Sequence, residues 1–153
     1  AAVVLPLPQV VDQLAPDEPL RHALGTAEVR RRGVAAVLAH ELRLGRVAAE
    51  QTSSDRLCDV ISTLPDGGTM PIHVKVRADG VGDFFISHNE VLTSKNVAPK
   101  YRLALVQVSD AGPMLDEVRY LSDPFTGTDL GDIQASGLRG DWTRLWARGA
   151  EPF

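Results

Sequence analysis

Cysteine occurs once in this sequence, at Cys58. That scarcity excludes an internal disulfide and a cysteine-rich zinc site, and it suits a reducing, cytoplasmic setting. Basic charge is also short: sixteen Lys and Arg stand against twenty Asp and Glu, a net charge of -4. An overall positive field of the kind that draws proteins to nucleic acid is therefore missing, and any DNA contact must be a local patch. Apolar runs fall well short of the ~20 residues a bilayer span needs. The apolar start AAVVLPLPQVV carries no basic leader and is broken by Pro6 and Pro8, which argues against a signal peptide. Internal repeats, heptads, a Walker-type phosphate loop and a GxSxG elbow are all absent. Aromatic residues make up only 5% of the chain. Its two tryptophans, Trp142 and Trp146, read as core plugs, since a base-stacking role has only Arg139, Arg144 and Arg148 nearby to support it.

What is present is ordinary for a globular protein: 44% hydrophobic and 24% charged residues over 153 positions, enough for one domain with a real core. The first residue is Ala1 rather than Met, which suggests a piece of something longer. Four prolines between Ala1 and Pro19 predict an extended arm or linker. From Leu20 to Leu44 the pattern turns helical, with Val34, Val37, Leu38, Glu41 and Leu42 at spacings of three and four and Gly45 as the stop. This helix should pack on a sheet. It holds the one basic run, Arg30, Arg31 and Arg32, which is either a solvated helix face or a phosphate-contacting patch.

The chain is organised around Leu57 to Arg77. Here the turn PDGG, Pro65 to Gly68, joins two strands, after a short strand at Arg46 to Gln51. Alternation puts Ile72, Val74 and Val76 on a core face, with His73, Lys75 and Arg77 on a polar one. With the turn centred on Gly67, Asp59 lies opposite Lys75, beside the His73 imidazole. Cys58 reads as a buried core residue. Next come a loop at 78–83, a short apolar piece at Phe84 to Ile86, and a helix opened by a capping box, Ser87 with Glu90. Tyr101 to Val108 is the central strand and Glu117 to Leu121 its antiparallel neighbour. The glycine-rich last thirty residues read as a tail docking by its tryptophans. The fold class is α/β (α+β), a mixed central sheet flanked by helices. The expected division is an arm at 1–19, a domain at 20–125 and a packed tail at 126–153.

An Asp at the end of one strand, a turn, and then an x-x-K, in which a carboxylate normally sits two before the lysine, resemble the active-site layout of the restriction-endonuclease-like, or PD-(D/E)xK, superfamily. More narrowly, Gly33 to Phe125 resembles a domain of bacterial helicase- and restriction-associated proteins that also ends the plant protein No Vein. The matching stretches are LCDV, PDGG, IHVKV, FFISHNE, YRLALVQV and VRYLSDP, in the family's order. The resemblance implies metal-assisted phosphodiester hydrolysis, in which two carboxylates hold Mg²⁺ or Mn²⁺ and a lysine steadies the developing charge. Carried over, Asp59 is the first metal ligand, Lys75 the catalytic lysine and Glu41 a candidate accessory metal carboxylate. Arg30, Arg31, Arg32 and Arg77 are the candidate DNA contacts. His73 stands where the family has Glu, and magnesium prefers oxygen to imidazole. The expectation is thus a degraded metal site in a DNA-directed or partner-binding module of a defence or DNA-processing protein. An active metal-dependent endonuclease is the first alternative, and a protein-interaction domain without nucleic-acid binding the second.

Overall fold

The computed structural model describes residues 26–78, 83–97, 99–125 and 137–153. The expected arm at 1–19, most of the loop at 78–83 and the start of the tail lie outside these residues. Helix α1, Thr26–Arg43, buries Val29, Val34 and Val37, and the chain leaves it through Gly45 at φ +76°, a backbone that disfavours side chains. Strands β1 (Val47–Glu50), β2 (Val60–Thr63) and β3 (Thr69–Arg77) follow, each antiparallel to the one before. After β4 (Asp83–Ser87) the capping box forms as expected: the Glu90 N–H donates to Ser87 Oγ, and Glu90 Oε1 accepts from the Ser87 N–H. It opens helix α2, His88–Asn96.

Strand β5, Arg102–Gln107, runs parallel to β3 and antiparallel to β6, Glu117–Leu121. The main sheet is therefore mixed, in the order β1-β2-β3-β5-β6. As read from its two-sided apolar sequence, β5 is interior, with Leu103, Ala104, Leu105 and Val106 all buried. Strand β7, Gly137–Asp141, pairs with β4 as a separate two-stranded sheet. Its glycines hide it from a periodicity reading, and the sequence did not reveal it. Helix α3, Trp142–Arg148, closes the chain, with Trp142 fully buried against Phe84 and Trp146.

The sheet separates two apolar clusters. Helix α1 covers one face, where its Val29, Val34 and Val37 pack on Ile72, Val74 and Val106. It lies close on the sheet at Gly33, where an added Cβ would meet Val76 Cγ2 at 2.2 Å. Ile86, Val91, Tyr101 and Trp142 cover the other face with Leu103 and Leu105. His73, Lys75 and Arg77 point to this second side. That face is polar in sequence but roofed in the fold, so His73 and Arg77 are buried.

The hairpin register needs a correction. Val60 pairs with Ile72 and Thr63 with Thr69, so the turn centres on Asp66, one residue earlier than expected. Continued by one step, that register brings Asp59 level with His73 rather than Lys75. A one-residue move of the turn centre shifts the partner by two and keeps the face, so the three side chains still share one side of the sheet.

Candidate functional site

Asp59 lies where β2 begins to part from β3. Its N–H donates to the Ile72 carbonyl at 3.0 Å, and its Oδ2 then accepts the Val74 N–H at 2.7 Å, prolonging the ladder with a side chain. The other oxygen, Oδ1, accepts from Arg30 at 2.5 Å, and Arg56 Nε stands 3.6 Å away. Burial alone would raise the Asp59 carboxyl. The Val74 amide and the Arg30 guanidinium outweigh it and hold the group below the ordinary carboxylate value.

His73 is enclosed. Nε2 is 2.8 Å from the Leu57 carbonyl, which only accepts, so that nitrogen carries the proton. Nδ1 is then left to accept from the Tyr101 hydroxyl at 2.7 Å. Burial lowers the His73 pKa although Glu90 and Asp59 pull it upward, and burial pushes the Tyr101 phenol well up. Both partners suit a neutral ring, and neither ring nitrogen keeps a lone pair for an ion.

Lys75 finds its carboxylate on another element. Its Nζ donates to Glu90 Oε1 at 3.0 Å, the same oxygen that accepts the Ser87 N–H. Glu90 is the site residue the sequence reading missed. Its one signal, the capping box, explained it as a helix start and asked nothing further of it. Between α2 and the chain leading into β2 lies a cavity of about 520 Å³, bordered by Arg56, Asp59, His73, Ser87, Asn89 and Glu90. Cys58 borders it too, as a buried thiol whose pKa is raised by that burial.

The remaining candidates lie elsewhere. Glu41 sits on the opposite face of the sheet, fully buried, where it accepts from Ser62 Oγ, Tyr120 Oη and Arg46. It is a structural carboxylate, remote from Asp59. The basic run splits three ways. Arg30 reaches Asp59, Arg31 stays exposed beside Glu28, and Arg32 is drawn in to Asp116 and the Ser109 carbonyl. Arg77 is buried and presents no surface for phosphate.

The family model described as Protein NO VEIN, C-terminal, matches residues 29–121, well over half the chain. The chain belongs to this family. Its No Vein C-terminal region runs from α1 to β6 and holds every residue of the cleft. The fold is restriction-endonuclease-like. Among solved structures it is similar to Hjc, a Holliday junction resolvase from the archaeal hyperthermophile Archaeoglobus fulgidus. The TM-score is 0.51 at 15% identity, covering 79% of this chain and 94% of that one. A search of curated proteins gives no significant match. Among the described residues no helix is long and apolar enough to cross a membrane.

Nucleases of this fold usually use a divalent ion, and the polar atoms that could face one beside Asp59 are engaged within the protein. Among the described residues no group of three His, Cys, Asp or Glu side chains is placed to hold a metal. His73 has both nitrogens engaged, and each Asp59 oxygen has a donor.

Proposed function

We propose that this No Vein C-terminal domain is a nuclease-fold module with its cutting site closed, serving a larger bacterial restriction, defence or DNA-processing protein as a DNA-directed part. His73 carries the reading. Standing two residues before Lys75, it is tied to Tyr101 and Leu57 as a neutral ring, so the second oxygen donor that a magnesium cage needs is replaced by a group without a free electron pair. Lys75 is correspondingly engaged with Glu90.

Phosphate contact falls to the arginines that remain accessible at the cleft mouth and the start of α1: Arg31, whose side chain is 73% exposed, and Arg56, at 34%. The test is incubation with supercoiled plasmid and Mg²⁺ or Mn²⁺, alongside DNA retention over a salt series. No cleavage is expected, with retention that weakens as salt rises by a log-log slope of about 0.9 per phosphate contact. Arg31→Gln and Arg56→Gln should each lower that slope by about one contact. The pairing of Glu90 with Lys75 favours an active endonuclease instead, because it returns a carboxylate to the lysine from a different element. Cleavage abolished by Lys75→Ala would establish that reading. No DNA retention even at low salt would leave a protein-interaction domain without nucleic-acid binding.

A further inference from the structure

We infer that the cleft carries its own cation: the Arg30 guanidinium occupies the Asp59 carboxylate where a divalent ion would have to bind, so the site is shut twice, once by His73 and once by Arg30. The inference rests on the closed-site reading and adds a second, separable lock to it.

Three observations bring Arg30 to this role. First, it comes from the wrong side. Helix α1 covers the opposite face of the sheet, yet Arg30 reaches from its first turns to Asp59, twenty-nine residues on, with a 2.5 Å bond. Second, its position is built. Val29 and Val34 on either side of it are buried, Gly33 lies against Val76, and Arg32 is clamped to Asp116 and the Ser109 carbonyl. The backbone that carries Arg30 is therefore held from both flanks. Third, the charges close without help. Arg30 answers Asp59 and Lys75 answers Glu90, each within 3.0 Å, so neither carboxylate that borders the cavity requires a further cation to balance it. A magnesium or manganese ion would have to take oxygens already committed to a guanidinium and to the Val74 amide, and would enter beside a resident positive charge.

Replacing His73 by a carboxylate is then insufficient by itself. The test uses Mn²⁺ alone as the probe, read by electron paramagnetic resonance and calorimetry, on the full chain. The proteins compared are wild type, His73→Glu, Arg30→Gln, the double variant, and His73→Glu with Arg30→Lys. Wild type and His73→Glu should bind no Mn²⁺ above an Asp59→Asn control. The double variant should gain at least about tenfold over His73→Glu, as expected for removing a like charge roughly 4 Å from the ion. The Arg30→Lys combination should stay closed, because a cation is kept. That last readout separates displacement of an ion from simple damage to the fold.

If His73→Glu alone binds as tightly as the double variant, the Arg30 lock is refuted while the loss of the strand carboxylate stands. If wild type binds Mn²⁺ and Asp59→Asn removes that binding, the closed-site reading falls and this inference with it. Should the His73→Glu proteins not fold, the comparison is made on His73→Asp, with and without Arg30→Gln. A gain in Mn²⁺ affinity on adding Arg30→Gln that Asp59→Asn removes supports the lock, and an unchanged affinity overturns it.

Discussion

Each face of the sheet carries a carboxylate environment, and the two are built on different terms. On the α1 face, Glu41 is fully buried and its donors, Ser62, Tyr120 and Arg46, all come from the interior or its margin. Burial, reinforced by the bond to Glu41, pushes the Tyr120 phenol far up. On the α2 face, Asp59 is answered by Arg30, whose side chain is 41% exposed, and Glu90 by Lys75 at the cavity wall. Charges whose partners are all interior hold a fold together. Charges whose partners can reach solvent are the ones a single substitution can set free without unfolding the chain. Glu41 belongs to the first kind, and Asp59 and Glu90 belong to the second.

The comparison breaks first, if it breaks, at Glu41. Glu41→Ala should cost about 3–5 kcal/mol in chemical denaturation, because it strands Arg46 and two buried hydroxyls without their acceptor. A loss near 1 kcal/mol would mean that this quartet is no tighter than the cleft.

Asp59→Asn should cost less, about 1–2 kcal/mol, since the amide can still accept from Val74 and Arg30 can turn to water. That cost should also depend on pH. The folded carboxyl lies below its usual value, so its contribution is present above about pH 4 and is lost as pH falls through the folded pKa. The wild-type advantage over Asp59→Asn in denaturation curves should therefore shrink in acid. A constant difference down to low pH would show that Arg30 does not hold the charged form.

The smallest effect belongs to His73. Its pKa is lowered from 6.5 by burial, so below that value the unfolded chain takes up a proton that the folded ring resists. Stability should decline as pH drops from about 6.5 toward the folded pKa. His73→Gln should flatten that decline, leaving the part due to His40, whose pKa is likewise lowered by burial and by Arg43. An unchanged slope would mean that the ring accommodates its proton inside the cleft.

Much of this architecture is legible because its signals are local. PDGG announces a hairpin, Ser87 and Glu90 a helix start, Gly45 a helix end, and the two-sided apolar run in β5 an interior strand. The register was less legible, since PDGG admits turn centres one residue apart and each assigns Asp59 a different partner. Strand β7 offers two glycines and no alternation, and only its antiparallel pairing with β4 marks it as a strand. At the site, Asp59, His73 and Lys75 could be named from spacing and resemblance. Arg30 could be named only as a DNA contact and Glu90 only as a capping residue, because their roles in the cleft depend on segments twenty-nine and fifteen residues away.

The sequence by itself determined the helices, the hairpin, the interior strand, and the imidazole standing where a carboxylate is expected, for these follow from dihedral preferences and side-chain periods that act over a few residues. Only the tertiary structure decided which charge answers which. The order of strands and the pinning of α1 put Arg30 on Asp59, Lys75 on Glu90 and Glu41 on the far face, and ion pairs form with whatever the packed elements bring within about 4 Å.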